Sequence, residues 1–203
     1  MTEWHFYEPA QGHRLPHDPL NAIVAPRPIG WIATLAADGR RNLAPYSFFN
    51  LLNYQPPLIG FSSSGWKDTV ANAQASGEFV WNLATRDLAE AMNATAADTD
   101  ADEFALAGLE SAPSRLVAPP RVARSPVAFE CRTTQIVRLE TRQGDALDQW
   151  LVIGEAVGIH IDASLLEGGI YQTARARPIT RGGGPADYFE VRDDALFRMR
   201  RPG

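Results

Sequence analysis

Between residues 29 and 61 the chain alternates short apolar runs with turn-forming residues. Ile29 to Leu35, Leu43 to Phe49 and Leu58 to Phe61 are separated by Asp38-Gly39 and by Pro56-Pro57. Asp-Gly between apolar runs is a hairpin signal, since both positions of the tight turn take positive φ, so the segment predicts a β-meander. Thr69 to Ser76 predicts a short helix, with Ser64 or Asp68 as N-cap and Gly77 just past its end. Glu78 to Ala84 returns to a strand with Phe79, Trp81 and Leu83 on one face. Leu88 to Thr95 and Asp102 to Ala107 are helical, and Gly108 closes the second. Ser111 to Pro126 holds four prolines and is expected to be a surface excursion. Two long strands follow, Val127 to Leu139 and Trp150 to Ile161, with Gln143-Gly144-Asp145 in the loop between them. The tail from Gly168 is less regular and carries Gly182-Gly183-Gly184 ahead of Asp187-Tyr188-Phe189.

Residues 1–21 show little periodicity but carry Trp4, Phe6 and Tyr7, and are expected to form an arm packed over the domain or a partner subunit. Residues 22–203 are expected to form one domain, because no repeat and no linker divides them. Strands do not alternate with long crossover helices and no G-x-G-x-x-G follows a strand, which argues against a dinucleotide fold. The expected class is mainly β with short helices, built as an antiparallel barrel.

Composition changes this picture little. Hydrophobic residues make up 45% and charged residues 21%, ordinary for a globular chain with a core. The net charge of −5 and the lack of a long Lys/Arg run give no sign of nucleic acid, and Arg198-Met199-Arg200-Arg201 reads as a solvated tail. No apolar stretch has membrane length and no leader is evident. The lone Cys131 is expected to be a small buried strand residue, and its lack of a partner favours a reducing cytoplasm.

The chemistry concentrates in two groups. Ser62, Ser63, Lys67 and Thr69 bring hydroxyls and one cation to a helix start, which is what a phosphate needs. The residues alone equally allow Ser64 or Asp68 as a plain cap and Lys67 as a solvated charge. In the second group, Asn42 to Asn50, Pro45 removes a ladder donor, so its strand must lie at an edge or be bulged there. Such an interruption frees neighbouring backbone groups for a ligand, while Tyr46, Phe48 and Phe49 can also be read as core aromatics, Phe49 above all. Trp31 and Thr34 cannot both face one side, being three apart in a two-residue period. His160 sits alone on a strand and reads first as structural, with catalysis as the weaker reading; Pro16 spoils a ligand pair between His13 and His17. Asp98, Asp100, Asp102 and Glu103 read as capping and dipole charges. No nucleophile or acid/base constellation appears, which suits a protein whose cofactor carries the chemistry.

The order of PRPIGWIAT, NLAPYSFFN, PPLIGFSSS, KDTVANAQASGEFVWNLA, DEFALAGLE, the Pro119-Pro120-Arg121 break and LVIGEAVGIHID resembles the flavin-reductase-like, FMN-binding split-barrel family over Ala25 to Tyr188. That family includes flavoredoxins and the reductase components of two-component monooxygenases. The resemblance implies an antiparallel, Greek-key-like split β-barrel, and FMN as cofactor with FAD as the alternative. It implies hydride transfer from NAD(P)H to the flavin, and a homodimer with flavin at the interface, where the arm or the Tyr188 region of a second chain would complete the pocket. It also allows a monooxygenase or another electron-transfer partner. It places the phosphate at Lys67 and Thr69, with Ser62 and Ser63 beside them. The flavin ring would run along Asn42, Ala44, Pro45, Tyr46, Ser47 and Phe48, with Trp31 as a further contact. Reductases of the family often carry small hydroxyl residues where this chain has Ala44-Pro45-Tyr46. An electron carrier with tightly bound FMN, a non-catalytic flavin binder and a haem protein using His160 are the competing readings.

Overall fold

The computed structural model describes residues 2–97, 99 and 101–202. Its centre is one seven-stranded antiparallel sheet: β1 (Gly30–Leu35), β2 (Arg41–Tyr46), β3 (Phe49–Asn53), β4 (Leu58–Ser64), β5 (Glu78–Asn82), β6 (Val127–Glu140) and β7 (Ala146–Ile161). The strand order is β2-β1-β5-β6-β7-β4-β3. The two outermost strands, β2 and β3, are consecutive in sequence, so the sheet must curl until its edges approach. The Phe48 carbonyl accepts a hydrogen bond from the Ser62 amide at 2.8 Å, which ties this corner to β4. The result is the antiparallel split barrel expected.

This geometry corrects the expected strand over Leu43 to Phe49. The chain makes two strands there, bent at Ser47-Phe48, because one end must serve each edge of the curl. The Asp38-Gly39 turn also differs from the two-residue form. Only Gly39 takes positive φ (87°), the Ala36 amide bonds to the Arg40 carbonyl at 2.9 Å, and the Asp38 carboxylate accepts the Arg40 amide. The long hairpin strands extend beyond their expected ends, since paired backbone continues to the Gly144 turn whatever the side chains.

Four short helices accompany the sheet: α1 (Leu20–Ile23), α2 (Asp68–Ser76), α3 (Ala89–Ala94) and α4 (Glu103–Leu106). Helix α2 packs Val70 and Ala73 against Ile32, Phe61, Phe79 and Val152 on one face of the sheet. Helices α3 and α4 pack Met92 and Phe104 against Trp31, Leu43 and Val80 on the other. Adjacent residues of β1 and β5 therefore face separate cores, which is why their runs are almost continuously apolar. A Cβ on Gly154 would stand 2.4 Å from the Phe79 ring, so only glycine lets β7 run beneath that aromatic. Cys131 is buried as expected, and burial pushes its thiol pKa up.

The excursion from Ser111 to Pro126 contributes a two-residue pair of strands, Ser111–Ala112 with Arg121–Val122. A small separate sheet joins Arg27–Pro28, Ile179–Arg181 and Tyr188–Glu190. Among the described residues no helix is long and apolar enough to cross a membrane.

Candidate functional site

Pro45 lies on β2, an edge strand, opposite Trp31 of β1, so its missing N–H interrupts no inner ladder. The outward Leu43 amide would be orphaned at this edge. It is met by the Glu103 carboxylate of α4 at 3.1 Å, and Asp102 caps α4 while gripping Arg41 at 2.5 Å. Burial raises the Glu103 pKa. These contacts anchor the first half of β2 to α4. Asp98 and Asp100 lie outside the described residues.

Past the corner, β4 brings Ser62, Ser63 and Ser64 opposite Leu151, Trp150 and Gln149. Gln149 spans two of them, donating to the Ser62 hydroxyl at 2.6 Å and accepting from Ser64 at 2.8 Å. Ser63 is buried and donates to the Gly65 carbonyl at 3.0 Å. The turn then delivers Lys67 to the N-cap of α2, where no side chain caps the helix. Neither Ser64 nor Asp68 plays the capping part expected of it; Ser64 is held by Gln149, and Asp68 is already inside the first turn. The helix therefore starts with first-turn N–H groups open and its positive dipole end unneutralised except by Asp68. The Lys67 ammonium makes no ion pair or hydrogen bond with another described residue.

Two concavities flank the corner. One, of about 250 Å³, is lined by Asn42, Ala44, Pro45, Tyr46, Lys67, Asp68 and Thr69 together with residues 95–97. The other, of about 540 Å³ and mainly apolar, is lined by Arg27, Ser47, Phe48, Asn50, Leu52 and Ser62. Among the described residues only two buried side-chain polar atoms lack a hydrogen-bond partner, and each belongs to one of these concavities: the Tyr46 hydroxyl and the Arg27 Nε. Tyr46 packs at a tilt on Phe61 (centroids 4.7 Å, 39° between planes) with its hydroxyl beside Thr69 and Ser63, outside bonding geometry to either. Burial raises its pKa, so it stays a protonated donor. Arg27 lies over the Phe48 ring at 5.6 Å; its Nη1 donates to the Asn21 and Val24 carbonyls and its Nη2 to the Gly182 carbonyl.

Most of the sequence-derived residues thus converge. Asn42, Ala44, Pro45, Tyr46, Lys67 and Thr69 line the first concavity, and Ser47, Phe48 and Ser62 the second. Asn42 and Thr69 are turned partly to structure: the Asn42 amide donates to Thr69 at 2.8 Å and to Thr34 at 3.1 Å. Phe49 is the core aromatic expected, stacked on Trp81 at 5.5 Å. Trp31 is not brought to either concavity. It is fully buried in the α3 core, its indole donating to Thr95 at 3.0 Å, and Thr34 takes the opposite face. His160 is also distant, at the other end of β7. Sequence reasoning overlooked Arg27 and Gln149, and it read Glu103 as a dipole charge where the structure gives it the Leu43 amide. An arginine between two prolines just before the first strand is a readable signal; the other two depend on pairings no local pattern reveals.

The geometry can be set beside known proteins. The chain is 35% identical to a protein of Aquifex aeolicus over 170 residues, covering 80% of this chain and 83% of that one. Nitrilotriacetate monooxygenase component B of Bacillus cereus superposes with a TM-score of 0.81 at 30% identity, covering 89% of this chain and 91% of its own. The 2-nitrobenzoate 2-nitroreductase of Pseudomonas fluorescens gives 0.80 at 29% identity, over 90% and 88%. Residues 24–180, from just before the Arg27 groove into the Ile179–Arg181 strand, match the flavin reductase like domain. The domain match and the shared curled sheet thus show a chain that belongs to the flavin reductase-like family, with a flavin-related redox function.

Proposed function

We propose that this chain binds FMN across the β2–β3 corner and acts as an NAD(P)H:flavin oxidoreductase. The observation that carries the proposal is the pairing of two unpartnered buried donors, Tyr46 OH and Arg27 Nε, with an uncapped helix start. Buried polar groups in folded proteins are nearly always bonded, so unpartnered donors on residues that line the two concavities fit a ligand that accepts from both. Lys67 and the first-turn amides of α2 match a dianionic phosphate. The Tyr46 hydroxyl and the Thr69 hydroxyl proton, left over after Thr69 accepts from Asn42, add neutral donors. Phe48, Leu52 and Arg27 match a flat ring with a polar edge, and the Arg27 charge favours the ring when it carries negative charge. FAD would need further room beyond this cradle.

When bound, the flavin would supply the redox chemistry as the hydride acceptor for NAD(P)H. The chain's own residues hold and orient it, exclude water from the ring edge and balance its charge. Strand β3 leaves its outer edge unpaired among the described residues, with Leu51 and Leu52 half-exposed and Tyr54 86% exposed. A second copy of the chain against that edge would cover this apolar surface and complete the pocket. A monooxygenase that consumes reduced flavin is a partner consistent with the named function of the Bacillus cereus relative. We place the protein in the cytoplasm, where its nicotinamide donor is found.

The test is anaerobic addition of NADH or NADPH to the FMN-loaded protein. Prompt loss of visible flavin absorbance is expected. A loaded protein that stays yellow would contradict reductase activity and leave the electron-carrier reading, and a protein that takes up no flavin would overturn the whole proposal.

A further inference from the structure

A third concavity, of about 590 Å³, opens at the end of the β6–β7 hairpin remote from its turn. It is lined by Arg115, Arg121, Arg124, His160 and Asp162. From Gln149 beside the flavin cradle to His160 is roughly 35 Å of strand at about 3.3 Å per residue, so the two sites are distinct. In a chain of net charge −5, three guanidiniums and an imidazole gather here around a single rim carboxylate. The Arg115 and Arg124 side chains make no hydrogen bond or ion pair with another described residue. Arg121 donates through Nε to the Pro113 carbonyl at 3.3 Å, which leaves its terminal nitrogens open. Asp162 is occupied in capping, accepting from the Ser164 amide at 2.9 Å.

Behind this surface lies a built support. The Glu130 carboxylate is fully buried and accepts from three donors: His160 Nε2 at 2.5 Å, the Arg115 amide at 2.8 Å and the Leu116 amide at 2.6 Å. One carboxylate thereby locks the loop that carries Arg115 and the strand end that carries His160 in a fixed relation. Burying a charge is costly unless it is hydrogen-bonded, and here the three bonds hold the Arg115 loop and the His160 strand end at the rim.

We propose that this concavity is an oxyanion site that takes the phosphate group of a small phosphorylated ligand. Guanidiniums match phosphate oxygens through paired N–H donors. Three of them exceed what a single carboxylate can accept, whereas a phosphate offers three oxygens and up to two charges.

The experiment is calorimetric titration of the full chain with pyrophosphate, in the wild type, in Lys67→Ala and in Arg115→Ala/Arg124→Ala. Both arginines are exposed, so the double variant should fold, and flavin uptake confirms that it has. The expected result is binding that survives Lys67→Ala and weakens roughly tenfold or more in the arginine variant. Inorganic phosphate and glycerol phosphate, run alongside, distinguish a free from an esterified group, and binding of either supports the site. No pyrophosphate binding, binding lost in Lys67→Ala but kept in the arginine variant, or citrate binding as tightly as pyrophosphate would each overturn the proposal.

Discussion

The two ends of β7 handle buried polar groups in opposite ways. Beside Gln149 the cradle leaves a tyrosine hydroxyl and an arginine Nε without partners and a helix without a cap. At His160 the one buried carboxylate is fully bonded by protein donors. Orphaned donors cost stability unless a ligand accepts them, whereas a buried carboxylate with three protein donors becomes costly only when those donors are removed. The difference separates donors left without partners at one end of the strand from a carboxylate met by protein donors beneath the arginine rim at the other.

Substitutions should break this contrast in a definite order. The largest effect is expected for Glu130→Ala, which strands His160 and two amides at once and should cost about 3–5 kcal/mol in denaturant unfolding. Its flavin affinity should stay near wild type, because the cradle is remote. The pH dependence has a definite sign. Burial raises the Glu130 pKa, but the hydrogen bonds from His160, Arg115 and Leu116 outweigh it and hold the folded-state value below the ordinary one. Its contribution is therefore present above about pH 4.5 and is lost as pH falls through the depressed folded value.

At the cradle the same logic predicts lost affinity instead of lost stability. Lys67→Ala should weaken FMN binding roughly 10- to 100-fold and leave riboflavin, which has no phosphate, almost unchanged. Thermal unfolding of the flavin-free protein should barely shift, as Lys67 is exposed and makes no bond to a described residue. Tyr46→Phe sharpens the test further. It should cost roughly tenfold in FMN affinity while the flavin-free protein is unchanged or slightly more stable, since an unpaired hydroxyl has been removed from a buried site. Simultaneous loss of stability would show that the hydroxyl is already bonded.

The smallest effect is expected for Glu103→Gln. The amide oxygen can still accept the Leu43 N–H, and the buried charge disappears. Burial raises the Glu103 pKa above its unfolded value, so the wild type loses stability as pH rises through that interval. The variant should match or slightly exceed the wild type at neutral pH, and this advantage should vanish below about pH 4.5. Urea unfolding at two pH values checks it.

Much of this was legible in the residues. Pro45 required an edge strand, and the residues from Ser62 to Thr69 predicted the strand end and the helix start that follows it. The break at Ser47-Phe48 was not legible, because local pattern cannot say that one apolar run serves two edges of a curled sheet. Trp31 misled for a related reason: in β1 both faces are buried, so alternation could not choose between cavity and core. Glu103 read as a dipole charge because its real partner, the Leu43 amide, is an edge group visible only once α4 is seen against β2.

The central claim is that the corner cradle is built for a flavin that bears a phosphate. Its most direct test is to titrate FMN and riboflavin side by side into flavin-free protein, following the change in flavin fluorescence. The account predicts that FMN binds at least about tenfold more tightly, with the gap shrinking in Lys67→Ala. Equal affinity of the wild type for the two flavins would contradict it.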